Sequence, residues 1–463
     1  MWKYSIVGGL FALIVLSPTP DGLSLEAWRL FAIYIALISG IILRPQQEPV
    51  VMLIIIGIGS LFVPLGTLLS GFANATAWLV FSAFLISQAF IDTGLGRRVA
   101  FYVIGKAGRS SLGLAYGAAL TDLLISPATP SNTARTGGVV YPVFRSVSET
   151  LGSTPNSSPK RVGAFLTLCS YQISLITSSM FITACAPNVL IVSFVKDLFG
   201  VEITWMAWMW AALVPGLAAL ILAPLLLYML YSPELKDIPN FKEISQKGLE
   251  ECGPMSLKER ILICFFVLAI LGWATGNLTG LSATAVALLF LSGCFLAQLF
   301  TWDSVAANKS AWGTLVWYAG MIGISAALAR LGFFAWGGET LQANFNLTGH
   351  NTYLVLGILV FVNMMLRYVF ASMGAYVASF MPVLLMLGYA AGAPLMPMIF
   401  IIAFSSSTGG LFTHYGSALG PVLFGTGYVD QKSWWKYGAA CGFLNMAIYM
   451  TIGLAYWRLL GYY

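Results

Sequence analysis

Long apolar runs, most of them about the length of a membrane-spanning helix, alternate with short polar segments along nearly the whole chain. A helix needs about 20 apolar residues to cross a bilayer, whereas the strands of a membrane barrel are alternating segments of about 10 residues. The pattern therefore predicts an all-α polytopic membrane protein. Eleven transmembrane helices are expected, at about 3–17, 24–42, 48–68, 76–92, 162–196, 204–231, 259–276, 281–300, 311–328, 396–426 and 436–459.

Two other apolar stretches, 110–145 and 351–388, each have a polar or glycine-containing break near the middle, at 131–133 and 372–374. We interpret both as re-entrant hairpins, which enter and leave the membrane on one side. Lys and Arg accumulate in cytoplasmic loops, and counting either hairpin as a full span would place the basic loops after it outside. With the N-terminus inside, eleven crossings leave the C-terminus outside.

The composition excludes a soluble protein, because 59% of the 463 residues are hydrophobic and only 9% are charged. The net charge of +6 comes from basic residues in the predicted cytoplasmic loops, so it implies no nucleic-acid partner. Six cysteines are scattered without metal-ligand spacing, and we expect neither a cofactor nor a metal. The first apolar run lacks an Ala-x-Ala cleavage site, and no transit peptide is recognisable. These features favour a prokaryotic cytoplasmic (inner) membrane.

The order of elements recurs in the second half of the chain, after a polar segment at 232–258. We therefore expect an N-terminal span at 1–23, a first repeat at 24–231, a cytoplasmic linker at 232–258 and a second repeat at 259–463. An odd number of crossings per repeat makes the two repeats inverted in the membrane. Inverted repeats are typical of secondary transporters, whose sites lie near the midplane where discontinuous helices meet.

The segment 130–138 combines helix-capping residues with an arginine inside otherwise apolar sequence. A helix N-terminus in a medium of low dielectric constant attracts anions, and Arg135 at such an end needs a negative partner. Two partners fit the sequence: an anionic ligand, or Asp122 on the opposite arm of the first hairpin. The pattern favours the ligand and leaves Asp122 as a competing structural role.

A proline, an asparagine and a histidine interrupt other apolar helices. Pro187 and Asn188 lie in the run 162–196, and His414 lies in the run 396–426. Arg367 is a second cation at membrane depth, where a charge is costly and therefore a functional hypothesis. Its alternative role is an ion pair between helices or a side chain that reaches the membrane surface.

The run 122–138, and within it Asn-Thr-Ala-Arg-x-Gly-Gly, resembles the signature of the divalent anion/sodium symporter family. It is most similar to the branch of bacterial citrate and tartrate exchangers and plastid 2-oxoglutarate/malate translocators, as are the segments 370–372, 413–417 and 425–429. The resemblance implies an eleven-span homodimer with two hairpins. It also implies that part of each subunit carries C4 to C6 di- or tricarboxylates across the bilayer in an elevator movement.

Position by position, 131–133 match the first signature triad, which in the family contacts a substrate carboxylate and, in sodium-coupled members, helps to ligate the cation. Ser372 matches the start of the second triad, but Met373 and Gly374 stand where coupled members have Asn and Thr, and Tyr376 takes the position equivalent to Arg135. The candidate substrate-binding residues are Ser131, Asn132, Thr133, Arg135, Pro187, Asn188, Ser372, Met373, Gly374, Tyr376, His414, Tyr415 and Gly416, with Arg367 and Asp122 as charge-compensating candidates.

Fixed positive charge from Arg135, assisted by Arg367 or His414, would replace the sodium ions of a symporter. The sequence therefore favours a sodium-independent dicarboxylate exchanger. A sodium-coupled symporter, with a residual sodium site near Ser131 and Asn132, stays the main alternative. An intramembrane enzyme is a remote one, because no Gly-x-Ser-x-Gly elbow and no close aspartate pair occurs, and we expect no catalytic residues.

Overall fold

The computed structural model describes residues 2–344, 349 and 351–463, and these residues are helices joined by short connections without a β-strand. The predicted all-α fold is therefore confirmed. In chain order the α-helices are α1 (Trp2–Leu16), α2 (Leu25–Leu43), α3 (Glu48–Gly59), α4 (Leu65–Leu69), α5 (Ala75–Asp92), α6 (Leu95–Ala107), α7 (Ser111–Ile125), α8 (Tyr141–Thr150), α9 (Gly163–Met180), α10 (Ala186–Phe199), α11 (Trp205–Leu230), α12 (Phe241–Cys252), α13 (Leu257–Ala274), α14 (Gly276–Thr279), α15 (Ala283–Leu296), α16 (Trp302–Ala306), α17 (Lys309–Arg330), α18 (Phe333–Asn344), α19 (Thr352–Leu366), α20 (Met373–Ala390), α21 (Leu395–Thr408), α22 (Leu419–Phe424), α23 (Gln431–Ile448) and α24 (Leu454–Leu459).

Eight helical stretches of the described residues are long and apolar enough to cross a membrane. The two arms of the second hairpin are among them by length, so their re-entry stays a prediction, as do the total of eleven crossings and the two inverted repeats. Residues 345–348 and 350 of the expected second repeat lie outside the described residues. The eight stretches are Leu25–Leu43, Ala75–Asp92, Trp205–Leu230, Lys309–Arg330, Thr352–Val369, Met373–Ala390, Leu395–Phe412 and Gln431–Leu459.

The helices at the expected spans 48–68 and 281–300 are shorter than the runs that predict them. The run 48–68 divides into α3, which ends at Gly59, and the short α4, because Pro64 disfavours helical geometry in the residue before it. The run 281–300 contains only the 14 residues of α15, which is followed by Gln298 in a left-handed conformation. The helical parts of these two runs are therefore shorter than predicted, since hydropathy does not detect such interruptions, and their crossing of the membrane stays a prediction.

Both hairpins are broken where the sequence predicts. In the first, α7 is followed by a 3-10 turn at Ser126–Ala128, and the chain returns through a π-helical segment at Thr133–Val140. In the second, α19 ends in a 3-10 turn at Arg367–Val369 before α20 begins. Each return arm starts at a serine that accepts a hydrogen bond from the backbone N–H three residues later, which is the capping role expected for this residue type.

Two long apolar runs are also broken. The break between α9 and α10 covers 181–185, and Pro187 lies in the first turn of α10, where its missing N–H costs nothing. Pro187 therefore begins a helix, whereas the sequence suggested that it interrupts one. After α21, a 3-10 turn at Gly409–Phe412 leads into a loop that reaches α22.

Close contacts hold α17 and α20 against elements near the start of the chain. A Cβ atom on Gly71 would lie 1.8 Å from the carbonyl oxygen of Ala319 in α17, so only glycine allows this approach. Tyr34 of α2 donates a hydrogen bond of 2.6 Å to the carbonyl oxygen of Ala378 in α20. Helices near the start of the chain thereby contact the return arm of the second hairpin directly.

Candidate functional site

The breaks of the two hairpins meet the breaks of the two long apolar runs inside the protein. We call α9 and α10 the first broken helix, and α21 with the segment up to α22 the second broken helix. The first hairpin contacts the first broken helix, where the Ala186 N–H donates to the Pro130 carbonyl oxygen at 2.9 Å. The hydroxyl of Tyr171 in α9 donates to the Gly410 carbonyl oxygen in the second broken helix at 2.8 Å. The Cys185 thiol lies 3.8 Å from the sulfur of Met373 in the second hairpin. The polar residues at these breaks therefore belong to one buried region.

Arg135 is completely buried, and protein acceptors occupy its whole guanidinium group. Its Nε atom donates to the Asp122 carboxylate at 3.0 Å. Its Nη atoms donate to backbone and hydroxyl oxygens of the first hairpin, of α9 and of the break after α9. These acceptors are Thr129 O, Ala184 O, Ser174 O, Thr177 Oγ1 and Ser178 Oγ, at 2.8 to 3.3 Å.

The Asp122 carboxylate is buried to the same extent and completes this arrangement. It accepts hydrogen bonds from Thr136 at 2.6 Å and from Thr177. An arginine has five N–H groups, and Arg135 has six protein acceptors within reach, so none of its N–H groups is free for a ligand in this conformation. Arg135 and Asp122 form a neutral clamp between the first hairpin and the first broken helix. We therefore revise the expectation that Arg135 supplies positive charge to an anion.

Arg367 has the opposite environment. It is only 1% exposed, yet no carboxylate pairs with it within the described residues. Two carbonyl oxygens accept from its Nη atoms, those of Gly416 and, at 3.3 Å, Ser372. The ring of Tyr376 lies 5.3 Å from its Cζ atom, in a cation–π arrangement. Its Nε atom has no hydrogen-bond partner, so this cation is desolvated and only partly compensated.

Two helix N-termini abut beside Arg367. Cys185 is the N-cap of the 14-residue α10, and Met373 is the first residue of the 18-residue α20. Their sulfur atoms are in contact at 3.8 Å. Each helix N-terminus carries roughly half a positive charge from the aligned peptide dipoles. The junction therefore adds positive potential beside a cation that already lacks a counter-charge.

Tyr376, the position equivalent to Arg135, is buried and donates its hydroxyl to the side chain and backbone of Asn363. Asn363 in turn donates to Ser405 of α21 at 2.5 Å. Asn363 and Tyr376 are thirteen residues apart on two hairpin arms, the same spacing as Asp122 and Arg135. The Tyr376–Asn363 hydrogen bond thus joins the arms of the second hairpin as the Arg135–Asp122 ion pair joins those of the first, but it involves no ionised side chain. The sequence prediction missed Asn363, although this repeated spacing could have indicated it.

The remaining candidates divide by exposure. Ser131, Asn132 and Thr133 at the first hairpin tip are partly exposed, as is Ser372 at the second. Asn188 is fully buried, and its amide donates to the carbonyl oxygens of Ser178 and Phe181 at 2.7 and 2.9 Å, which ties α10 back across its own break. Ser131, Asn132, Thr133 and Ser372 are therefore the accessible candidates, whereas Asn188 holds the break together.

His414 and Tyr415 lie in the loop between α21 and α22 and are partly exposed. The indole N–H of Trp435 donates to Nδ1 of His414 at 3.0 Å. Tyr368, which follows Arg367 in the chain, packs against Trp435 with ring centroids 5.6 Å apart. Gly416, two residues after His414, provides the carbonyl that binds Arg367. The structure therefore brings His414, Tyr415 and Gly416 together beside Arg367.

Comparison with known proteins identifies the family. The model of the family described as "Sodium:sulfate symporter transmembrane region" matches residues 1–463. The chain belongs to the divalent anion/sodium symporter family. The resemblance of the segment 122–138 to this family is therefore confirmed over the full sequence.

Among the relatives of this chain, one is named an inner membrane protein and two are named for transport. Inner membrane protein YbhI of Escherichia coli (strain K12) is 42% identical, over 99% of this chain and 98% of that protein. Putative malate transporter YflS of Bacillus subtilis (strain 168) is 39% identical, over 96% and 93%. The citrate/succinate antiporter of Escherichia coli (strain K12) is 32% identical, over 99% of both chains. This family member is accordingly an integral membrane transporter and not an enzyme.

Solved structures support the fold of this family member. The YdaH transporter of Alcanivorax borkumensis matches with a TM-score of 0.52 and 13% identity, over 99% of this chain and 96% of that chain. MtrF of Neisseria gonorrhoeae matches with a TM-score of 0.56 and 12% identity, over 97% and 94%. At such low identity the likeness concerns the fold alone, which is that of a polytopic helical transporter.

Proposed function

We propose that the protein is a sodium-independent exchanger of C4 to C6 di- and tricarboxylates, and that Arg367 provides the fixed charge that holds the anion. One observation carries this proposal: Arg367 is a buried guanidinium without a carboxylate partner in the described residues, and its Nε atom is unpaired. The other fully buried arginine, Arg135, is neutralised by Asp122.

The charges at the junction match a dicarboxylate. Arg367 contributes one positive charge, and the N-termini of α10 and α20 contribute roughly half a charge each. Together they correspond to about two positive charges, which is the magnitude that a bound dicarboxylate carries with opposite sign. The partly exposed hydroxyl and amide groups of Ser131, Asn132, Thr133 and Ser372 supply hydrogen-bonding partners for the carboxylate oxygens.

This charge balance favours exchange over net uptake. A desolvated cation without a counter-charge is expensive to move through a bilayer, so the empty carrier crosses slowly. A bound dicarboxylate neutralises the site and lowers that cost. Only loaded carriers then move, in either direction, and every anion that enters is matched by one that leaves. An elevator movement of the hairpins within a homodimer, in a prokaryotic inner membrane, is the physical form that we propose for this step.

The relatives support the substrate class. One is named a putative malate transporter and another a citrate/succinate antiporter, and both names concern C4 or C6 carboxylic acids. Met373 supports independence from sodium, because its thioether occupies a hairpin tip where a sodium ion would require a hard oxygen ligand.

Counterflow in proteoliposomes tests this function. Vesicles that contain the purified protein are preloaded with malate, succinate or citrate, or left empty, and uptake of radiolabelled malate, succinate and citrate is measured with and without sodium. We expect saturable uptake only into preloaded vesicles, at the same rate in sodium and in choline. Accumulation in empty vesicles driven by an inward sodium gradient would instead establish a sodium-coupled symporter. The oxygens of Ser131 and Asn132 are available for that role.

A further inference from the structure

We propose that Trp435 is a positioning residue that fixes His414 as a neutral hydrogen-bond donor to a carboxylate or hydroxyl oxygen of the transported anion. The indole Nε1 and the His414 Nδ1 atoms are 3.0 Å apart. This inference rests on the proposed function, since it concerns how the same site recognises its substrate.

The chemistry of the two rings sets the direction of this hydrogen bond. An indole N–H can only donate, so Nδ1 of His414 must accept and carries no proton. A neutral imidazole then holds its proton on Nε2. A protonated ring would place a second N–H directly against the indole N–H. Trp435 therefore selects the tautomer whose proton lies on Nε2, and His414 contributes a directional N–H group.

The Nε2 atom is free to act as this donor. His414 is partly exposed, and among the described residues Trp435 is its hydrogen-bond partner, through Nδ1 alone. The imidazole lies against the ring of Phe424, with centroids 4.4 Å apart, which fixes the plane of the donor. A donor whose ring is already held in one plane loses little further conformational freedom when a ligand oxygen accepts from it.

The position of His414 links this donor to the fixed cation. Gly416 of the same loop binds Arg367, and Tyr368, the neighbour of Arg367, packs against Trp435. A ligand carboxylate attracted by Arg367 is therefore bounded by the loop that carries His414. Arg367 supplies the charge, and His414 supplies a directional contact that distinguishes among acids differing in oxygen placement.

Trp434 offers a matched control for Trp435. The Nε1 atom of Trp434 is buried and has no hydrogen-bond partner, so Trp434→Phe removes an indole N–H that donates to nothing. Trp435→Phe removes the one that orients His414. Both changes retain a large aromatic ring. A difference between the two variants therefore reports on the hydrogen bond rather than on the loss of an indole.

The experiment measures KM and maximal rate of malate exchange in preloaded proteoliposomes for six proteins: wild type, Trp435→Phe, Trp434→Phe, His414→Gln, His414→Asn and the double variant Trp435→Phe/His414→Gln. The glutamine amide reaches the place of Nε2 and donates there without help from Trp435, whereas the asparagine amide reaches only the place of Nδ1. We expect KM to rise about tenfold in Trp435→Phe and in His414→Asn, and less than threefold in Trp434→Phe and in His414→Gln.

The double variant tests whether Trp435 acts through His414. If Trp435 acts through His414, its replacement adds no further change in KM to His414→Gln, and maximal rates stay within about twofold throughout. Independent effects that multiply in the double variant would overturn the inference, as would equal KM values for His414→Gln and His414→Asn. Absence of exchange by the wild-type protein would refute the proposed function instead, so the two failures are distinguishable.

Discussion

Asp122 and Arg135 form a fully buried ion pair between the two arms of the first hairpin, with 3.0 Å between Oδ2 and Nε. The pair itself carries no net charge, and Arg135 ties the hairpin to the first broken helix through the Ala184 carbonyl oxygen. Arg367 is the buried cation that has no carboxylate partner within the described residues, and its Nε atom is unpaired. The two arginines that interrupt the hydrophobic sequence therefore have different environments, and we propose a structural role for Arg135 and anion binding for Arg367.

Removal of one partner from the Asp122–Arg135 pair should be more harmful than removal of both charges. A lone buried charge costs about 3–5 kcal/mol, so Asp122→Asn and Arg135→Gln should each lower the melting temperature strongly. The double variant Asp122→Asn/Arg135→Gln should recover much of that loss and retain exchange. Thermal unfolding in detergent measures the first effect, and counterflow measures the second.

A direct ligand role for Arg135 makes the opposite prediction for the double variant. Exchange would then be abolished even where stability is restored, because the anion would have lost its cation. Arg145→Gln is a suitable control for both measurements. Arg145 pairs with Glu149 at an exposed position, and such pairs contribute about 0–1 kcal/mol.

Arg367→Gln should abolish exchange while it stabilises the empty protein. The change removes a desolvated charge that lacks a counter-ion, and glutamine can still donate one hydrogen bond to the Gly416 carbonyl. We expect a rise in unfolding free energy on the order of 1 kcal/mol and a fall in exchange of at least about 100-fold, equivalent to about 2.7 kcal/mol. A large loss of stability would show that Arg367 has a structural role like that of Arg135.

Replacements of Tyr376 should separate its hydroxyl from its ring. Tyr376→Phe loses the hydrogen bond to Asn363, which is worth about 1 kcal/mol, but keeps the ring that lies against Arg367. Tyr376→Leu loses both. We expect the phenylalanine variant to be less stable with an almost unchanged KM, and only the leucine variant to have a clearly higher KM. Equal KM values in the two variants would remove the cation–π contact from the account.

Gly374 should tolerate no side chain while Trp317 keeps its position. A Cβ atom at residue 374 would lie 2.9 Å from Cη2 of Trp317, whereas a Cβ atom at Gly57 would meet nothing within 4 Å. We expect Gly374→Ala to reduce exchange severely, Gly57→Ala to have little effect, and Trp317→Phe to restore part of the exchange in Gly374→Ala. Failure of this rescue would mean that another contact requires glycine.

Much of this architecture is readable from the amino-acid sequence, because hydropathy and helix-breaking residues act locally. The membrane class, the breaks at 131–133 and 372–374 and the family all follow from such signals. The divided run 48–68 was missed because apolar residues continue across Pro64, so hydropathy alone indicates an unbroken span.

The site was less predictable, because its chemistry depends on which side chains meet in three dimensions. The sequence offered Asp122 as one of two possible partners of Arg135, and nothing local decides between a carboxylate thirteen residues away and a ligand. Trp435 is 21 residues from His414, and their hydrogen bond exists only because α23 packs beside the second break. The roles that we propose for the arginines and for His414 depend on these distant contacts.

The most direct measurement of the central claim is the change in melting temperature when a dicarboxylate binds, compared across three purified proteins. A ligand at about 100 times its Kd stabilises the folded state by about 2.7 kcal/mol. Malate, succinate or citrate should raise the melting temperature of the wild type and of Asp122→Asn/Arg135→Gln, and should leave that of Arg367→Gln unchanged. The reverse pattern, with stabilisation retained in Arg367→Gln and lost in the double variant, would contradict the claim that Arg367 holds the anion.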